Sequence, residues 1–214
     1  MKTFEIITES DARVLAPGET VMLARGGHVT PLAQDTLKER RVTVVHEGRA
    51  SAEEMALVPP SDIRKVAIAS DHTGVKLRRE IVGFLRGRGL AVTDLGTDGS
   101  EPVDYPDVAA SVADLVARGD ADGGIVIDGA GIGSAIAANK IRGIRAVMAP
   151  TTMIARYARE HNGANVLTLG ATLVSPDEAR AIVTTWLTTP MREPRYIRRL
   201  VKIRDLEDRS HKRR

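Results

Sequence analysis

Two titratable side chains stand next to each other in the segment Ser70-Asp71-His72-Thr73-Gly74, which follows the apolar run Val66-Ala67-Ile68-Ala69. A histidine can transfer protons near neutral pH, and an aspartate can fix the histidine tautomer or bind substrate hydroxyl groups. The same aspartate could instead simply cap the helix that follows. The spacing therefore leaves two interpretations open, proton-transfer chemistry and helix capping.

A second candidate segment is the glycine loop, Asp128-Gly129-Ala130-Gly131-Ile132-Gly133-Ser134. Alternating glycines let backbone N–H groups approach an anion, and the N-terminus of a following helix favours negative charge. The spacing differs from the dinucleotide fingerprint G-x-G-x-x-G, and the Lys-Ser/Thr pair of a P-loop is absent. The leading aspartate suits a group that abstracts protons or binds hydroxyls, whereas a tightly packed turn is the structural alternative.

The basic sequence near the C-terminus offers a third candidate. Arg195 and Arg199 are four residues apart, so they share one face of a helix and could clamp a phosphate. Solvated helix charge is the alternative, since residues 192–214 hold ten Lys/Arg and four Asp/Glu. His161 and Asn162 end an earlier predicted helix, and we interpret them as C-terminal capping residues.

The elements that must position these segments alternate between strand and helix from about Lys65 onward. Such alternation predicts an α/β fold, a Rossmann-like, doubly wound, five-stranded parallel sheet sandwiched by helices, with sites at the carboxyl ends of its strands. The predicted strands are Val66–Ala69, Ala91–Leu95, Gly124–Ile127, Ile144–Met148 and Asn165–Leu169. The predicted helices are Lys76–Gly87, Tyr105–Arg118, Ser134–Lys140, Thr151–His161, Pro176–Thr188 and Pro194–Glu207.

The double proline Pro59-Pro60 predicts a break between two parts of the chain. We expect a small N-terminal α+β extension at residues 1–50, a linker at 51–64, the main domain at 65–205 and a basic tail at 206–214. Within the extension, Thr30 caps a helix that begins at Pro31, and Val42–Val45 forms a strand.

Composition excludes several classes of function. The 214 residues are 43% hydrophobic, enough to bury a core, and no apolar run approaches the roughly 18–20 residues of a membrane helix. The absence of cysteine excludes disulfides, thiolate metal sites and thiol nucleophiles. With 3% aromatic residues, stacking on single-stranded nucleic acid is also disfavoured. We expect a cytoplasmic protein that uses no nucleic acid, membrane or metal.

Residues 65–204 resemble the type B ribose-5-phosphate isomerase and galactose-6-phosphate isomerase family. The matching segments, in order, are Ser70–Gly74, Val103–Asp107, Gly129–Gly133, Ile136–Lys140, Ala158–Asn162, Ala164–Leu167 and Arg195–Ile203. The resemblance implies that a phosphorylated sugar is converted between aldose and ketose through an enediolate, without metal or organic cofactor. It also implies a homo-oligomer, a dimer or tetramer, with the active site at a subunit interface and phosphate-binding arginines that come partly from the partner subunit.

The resemblance assigns roles to individual residues. Asp128 is the candidate base, His72 the acid or ring-opening residue, and Asp71 a further catalytic residue that orients the substrate. The expected substrate-binding residues are Tyr105, Asn139, Arg195, Arg199 and the loop glycines Gly129, Gly131 and Gly133, whose amides would hold the enediolate oxyanion.

Four positions depart from the family pattern. Asp128 stands where the family has its catalytic cysteine, and Ala130, Pro150 and Thr172 occupy other catalytic or phosphate-binding positions. In one interpretation Asp128 replaces the thiolate, and the substrate is an open-chain sugar such as a tetrose phosphate or is opened by His72. In the other, the chain is a depleted supporting subunit, like one chain of galactose-6-phosphate isomerase, or a sugar-phosphate-binding protein. We favour the active isomerase, because Asp71, His72 and the arginine pair are all retained.

The N-terminal extension looks like segments of some bacterial microcompartment enzymes, notably phosphotransacylases and cobalamin adenosyltransferases. That resemblance implies docking to a microcompartment shell or a partner enzyme, and thus a location in the cytoplasm or inside a microcompartment. A decoration that stabilises the oligomer is the alternative, because so small a piece has little core of its own.

Overall fold

The computed structural model describes residues 2–46 and 52–211. The chain divides into two compact units, Met1–Met55 and Ala56–Arg214. The predicted 51–64 linker contains one helical turn, α3 (Ala52–Met55), and the unit boundary follows directly after it. Residues 47–50 at the end of the predicted extension, residue 51 at the start of the predicted linker, and residues 212–214 of the predicted tail lie outside the described residues.

The larger unit is built on the predicted five-stranded parallel sheet. Its strands are β4 (Lys65–Ser70), β5 (Ala91–Asp94), β6 (Gly123–Asp128), β7 (Ala146–Met148) and β8 (Val166–Gly170). They are ordered β5-β4-β6-β8-β7 and all pair in parallel. From β4 the chain first goes outward to β5 and then returns to the other side as β6, so the strand order reverses between β4 and β6. In open parallel sheets, ligands bind at the carboxyl ends of the strands beside such a reversal.

Helices cover both faces of this sheet. They are α4 (Val75–Gly87), α5 (Tyr105–Ala117), α6 (Ile132–Ala138), α7 (Thr152–Asn162), α8 (Pro176–Thr188) and α9 (Pro194–His211). In β4, Val66 and Ile68 pack among side chains of α4 and α8, whereas Ala67 and Ala69 face α5. This alternation confirms the predicted sandwich, since a central parallel strand must bury both of its faces.

The last helix, α9, crosses the amino-terminal edge of the sheet. Its residues Tyr196 and Leu200 form a small cluster with Leu57 and Val58. Further along, Asp208 pairs with Arg142 in the loop that precedes β7. Because α9 continues to His211, the described part of the predicted 206–214 tail belongs to this helix.

The smaller unit has a three-stranded parallel sheet of its own. It consists of β1 (Thr3–Ile7), α1 (Glu9–Val14), β2 (Thr20–Val29), α2 (Pro31–Glu39) and β3 (Thr43–His46), in strand order β1-β2-β3. Thr30 caps α2 as predicted. Ile7, Leu15, Val21, Leu23 and Leu37 are among the buried side chains of its core. The extension thus folds as strand-helix-strand units, like the larger domain.

Candidate active site

The first candidate segment lies at the carboxyl end of β4. Asp71 is 6% exposed, and its Oδ1 accepts hydrogen bonds from Thr73 N at 2.9 Å, Thr73 Oγ1 at 2.6 Å and Gly74 N at 3.2 Å. Asp71 therefore shapes the turn before α4, but it does not cap the helix as the alternative had it, because the N-cap is Gly74 and no side chain accepts a capping hydrogen bond there. These bonds use one carboxylate oxygen, so they do not exclude a second role for the other.

His72, beside it, is held in a defined orientation. Its Nδ1 accepts a hydrogen bond from Val103 N at 3.3 Å. Because Nδ1 is the acceptor, the neutral ring carries its proton on Nε2. His72 can thus present an Nε2–H donor to a substrate oxygen.

Val103 belongs to the loop between β5 and α5, and Arg78 of α4 forms ion pairs at the start of this loop. This arginine is 1% exposed and reaches Asp94 at 3.2 Å and Asp98 at 2.6 Å. Arg79 also binds Asp98, and its hydrogen bond, followed by the charges of both arginines, lowers the pKa of the Asp98 carboxyl. These ion pairs tie the loop between β5 and α5 to α4 and thereby fix the donor that orients His72.

The glycine loop follows β6, and Asp128 turns back into it. Oδ1 of Asp128 accepts from Ala130 N at 2.8 Å and from Gly131 N, and Oδ2 accepts from Ser134 N at 3.0 Å and from Ser134 Oγ. Asp128 is 6% exposed and Ser134 is fully buried. An ionised carboxylate has about four lone-pair positions, and here all four are occupied.

This arrangement disagrees with two of the predicted roles. Asp128 has no lone pair left to take a proton from a substrate carbon, so it is not poised as the base. The Gly131 N–H donates to Asp128 and is not available to an oxyanion. Within the described residues, the N–H groups of Gly129 and Gly133 donate to no protein acceptor, so these two amides remain for a substrate oxygen.

Two glycines of the loop are required by their surroundings. Gly131 has φ +75°, and a Cβ there would lie 2.8 Å from the Leu169 backbone. A Cβ on Gly133 would lie 2.6 Å from the ring of Tyr105. Tyr105 therefore lies directly against the loop, as its predicted substrate-binding position requires.

Threonines of β8 and the loop after it brace the glycine loop. Thr168 Oγ1 donates to Gly131 O and Thr172 Oγ1 to Gly129 O, both at 2.6 Å. Thr172, at a position where the family pattern differs, thus supports the loop backbone. The sequence analysis did not predict that Ser134 and Thr168 hold the glycine loop in place. For Ser134, its position at the end of the loop that Asp128 begins was a usable signal.

Asn139 does not belong to this site. Its Nδ2 donates to Ala135 O and Ala146 O, and its Oδ1 accepts from Ala146 N at 2.8 Å. Ala146 begins β7, so Asn139 lies at the amino-terminal edge of the sheet. The predicted substrate-binding role is corrected: within its own chain Asn139 joins α6 to β7, and its side chain is committed to the backbone.

The predicted phosphate arginines lie at the same amino-terminal edge. The guanidinium groups of Arg195 and Arg199 lie 4.8 Å and 5.4 Å from the ring centroid of Tyr196. His161 stacks between Tyr196, at 4.6 Å, and Tyr157, at 4.9 Å. His161 is thus part of an aromatic and basic cluster, which the interpretation as a helix cap did not foresee, although the spacing of Tyr157 and His161 on one helix face was a usable signal.

The structure therefore separates the predicted site residues into two groups. Asp71, His72, Tyr105 and the glycine loop come together at the carboxyl edge of the sheet. Arg195, Arg199 and Asn139 lie beyond the opposite edge. Strands of five or six residues separate the two edges by about 15–20 Å, given a rise of about 3.3 Å per residue.

Comparison with known proteins places this geometry in a family. The family model described as Ribose/Galactose Isomerase matches residues 66–203. The chain belongs to the ribose/galactose isomerase family. It is 44% identical over 149 residues to ribose-5-phosphate isomerase B of Escherichia coli, which spans 70% of this chain and 100% of that protein.

Two further relatives extend the comparison within the ribose/galactose isomerase family. A D-erythrulose-4-phosphate isomerase of Pectobacterium atrosepticum is 40% identical over 124 residues, 57% of this chain and 81% of that protein. The solved structure of ribose-5-phosphate isomerase B from Clostridium thermocellum superposes with a TM-score of 0.67 at 48% identity, covering 68% of this chain and 99% of that one. These matches confirm the predicted family and the fold of the larger unit.

Within residues 2–46 and 52–211, no helix combines the length and apolarity needed to cross a membrane. The same residues contain no group of three or more histidine, aspartate or glutamate side chains placed to hold a metal ion.

Proposed function

We propose that this protein is an aldose–ketose isomerase acting on a phosphorylated sugar of four or five carbons. The observation that carries the proposal is the meeting of the Asp71-His72 turn and the glycine loop at the strand-order reversal of a ribose/galactose isomerase fold. The range of sugar lengths is supported by relatives named for a pentose phosphate and for a tetrose phosphate.

The reaction proceeds through an enediolate formed between C1 and C2 of the open-chain sugar. The free amides of Gly129 and Gly133 donate hydrogen bonds to the developing oxyanion, where such donors lower the barrier most. His72 donates from Nε2 to a second substrate oxygen. Tyr105 limits the space above the loop and orients the sugar.

The phosphate group is bound by Arg195 and Arg199 of a second subunit. The two arginines cannot serve the glycine loop of their own chain because the strands of the sheet separate them. Several apolar side chains around the carboxyl edge are exposed and suit a subunit interface; they are Ile132 at 52%, Ile136 at 58%, Met153 at 56% and Leu173 at 53%. We therefore propose a homodimer, or a tetramer built from two such dimers, with the site at the dimer interface.

A second candidate function is a supporting subunit or sugar-phosphate-binding protein of the same family. The observation in its favour is the saturation of Asp128, which stands in place of the family cysteine and lacks a free lone pair. An active partner chain would then supply the base.

Proton exchange distinguishes these two functions. We expect the purified protein in deuterated buffer to exchange the C1 and C2 protons of ribose-5-phosphate, ribulose-5-phosphate or a tetrose phosphate, followed by proton NMR. The substrate with the fastest exchange identifies the sugar length. Binding of the same sugars without any exchange would contradict the isomerase and favour the supporting subunit.

The N-terminal extension is proposed to dock the enzyme to a microcompartment shell or a partner enzyme in the cytoplasm. Its support is the sequence resemblance together with a separate compact unit, Met1–Met55. We expect deletion of residues 1–55 to abolish co-purification of partner proteins while proton exchange by the larger unit is retained. An unchanged set of co-purified proteins, with an altered oligomer size, would instead identify the extension as an oligomer-stabilising decoration.

A further inference from the structure

Two buried aspartates end neighbouring strands of the sheet. Ser70 of β4 pairs with Ile127 of β6, so Asp71 and Asp128 occupy equivalent positions one residue further along. Asp71 N donates to Ile127 O at 3.2 Å, which keeps the two backbones in contact at this point. Both residues are 6% exposed. They differ in how their oxygens are used.

Asp128 is fully committed to the protein. Three backbone N–H groups and one hydroxyl donate to its two oxygens. Accepting a proton from carbon would require one of these bonds to break and would leave a buried donor unpaired, which costs about 1–3 kcal/mol. This carboxylate occupies the anion-binding hollow at the start of α6, where it holds the loop in shape.

Asp71 is committed through one oxygen. Oδ1 accepts all three hydrogen bonds of the turn, from Thr73 and Gly74. Within the part of the chain that the structure describes, Oδ2 accepts none. Oδ2 has no hydrogen-bond partner among the described residues but is not completely buried, so solvent or a substrate can reach it. A free carboxylate oxygen on a rigid turn is the arrangement that a general base needs.

We propose that Asp71, through Oδ2, is the catalytic base of this isomerase, and that Asp128 is a positioning residue for the glycine loop. This assignment rests on the isomerase function proposed above. It gives Asp71 the role of base that the sequence analysis gave to Asp128, and it leaves Asp128 with the task of holding the loop in shape.

The proton transfers balance as follows. Oδ2 of Asp71 takes the proton from C2 of the open-chain aldose, the C2–H electron pair forms the C1=C2 double bond, and the carbonyl oxygen O1 becomes the enediolate oxyanion. The hydroxyl proton on O2 then passes to O1. The carboxylic acid of Asp71 returns its proton to C1, and the carbonyl re-forms at C2, which leaves a ketose and the starting carboxylate.

Asparagine substitutions separate the two roles because the two aspartates have different partners. In Asp71→Asn, the amide oxygen can still accept the three bonds of the turn, and the NH₂ group replaces the free Oδ2. In Asp128→Asn, the NH₂ group of the asparagine must point at backbone N–H donors whichever way the amide is turned, because both oxygens of Asp128 accept such N–H groups. The first variant therefore removes a base and spares the fold, whereas the second disturbs the loop.

The experiment measures kcat, KM, C2-proton exchange and thermal unfolding for the full-length wild type, Asp71→Asn and Asp128→Asn. We expect Asp71→Asn to lower kcat and exchange by about 100- to 10,000-fold, the usual contribution of a general base, with an unchanged unfolding temperature. For Asp128→Asn we expect a lower unfolding temperature and a raised KM, with exchange still detectable at saturating substrate.

A rescue experiment adds a readout that a structural role would not change. In Asp71→Ala, added formate can occupy the vacated position, and we expect it to restore part of the exchange in a concentration-dependent way; it should have no such effect on Asp128→Ala. Exchange in Asp71→Asn within tenfold of wild type would overturn the assignment. So would loss of exchange in Asp128→Asn at an unchanged unfolding temperature. Absence of exchange in the wild type would instead overturn the isomerase function itself.

Discussion

Replacing Asp128 by alanine is expected to lower the free energy of unfolding by about 3–5 kcal/mol, because several donors lose their acceptor and each buried unpaired donor costs about 1–3 kcal/mol. The carboxylate accepts from Ala130 N, Gly131 N, Ser134 N and Ser134 Oγ, and alanine offers none of them an acceptor. The loop cannot simply open to solvent, because Thr168 and Thr172 hold its carbonyl groups. The buried donors therefore stay unpaired.

Urea denaturation monitored by circular dichroism gives the measurement. Asp107→Ala is the matched control, since Asp107 is an exposed aspartate in the first turn of α5, where its loss should cost a few tenths to about 1 kcal/mol. Asp128→Asn should lie between the control and Asp128→Ala, because its amide oxygen keeps part of the acceptor set. If Asp128→Ala were as stable as Asp107→Ala, Asp128 would not be the residue that holds the glycine loop.

Much of the larger unit could be predicted because its signals are local. The apolar run before Asp128 forms β6, and Ser175 and Glu178 make the capping box that starts α8. In the smaller unit β1 and β2 escaped prediction. Their pairing shifts from Phe4↔Leu23 to Ile6↔His28, so β2 carries three extra residues that interrupt its alternation.

The sequence predicted which residues belong to the candidate site better than it predicted how their side chains are arranged. Spacing places Asp128 directly before the glycines, but it does not tell that the carboxylate folds back onto Gly131 and Ser134. Likewise, a sequence match points to Asn139 but does not show that its side-chain amide is hydrogen-bonded to the backbone of Ala146 through both Nδ2 and Oδ1. Hydrogen-bond direction depends on backbone torsions and packing, which residue types alone do not specify.

The position of α9 makes the second large prediction, which concerns two subunits. If the loop of one chain and the arginines of another build each site, two inactive variants should restore activity when they are mixed. One variant carries Asp71→Asn and His72→Ala, and the other carries Arg195→Ala and Arg199→Ala. The first has intact arginines, and the second has an intact loop.

A mixed dimer then contains one site with a wild-type loop and wild-type arginines. Its other site carries the loop substitutions and the arginine substitutions together. Random pairing of equal amounts makes half of the dimers mixed, so we expect about a quarter of wild-type activity in an isologous dimer. Each variant alone should show less than about a hundredth of the wild-type rate at low substrate, because it lacks either the proton-transfer groups or the charged phosphate contacts.

Co-expression of the two variants with different affinity tags, followed by purification through both tags, isolates the mixed dimers. These should then reach about half of the wild-type rate per dimer, since one of the two isologous sites is intact. The control is a mixture of two differently tagged copies of the loop variant, which should stay inactive. Inactive mixed dimers would show that the arginines serve the loop of their own chain, which would require α9 to leave the amino-terminal edge of the sheet.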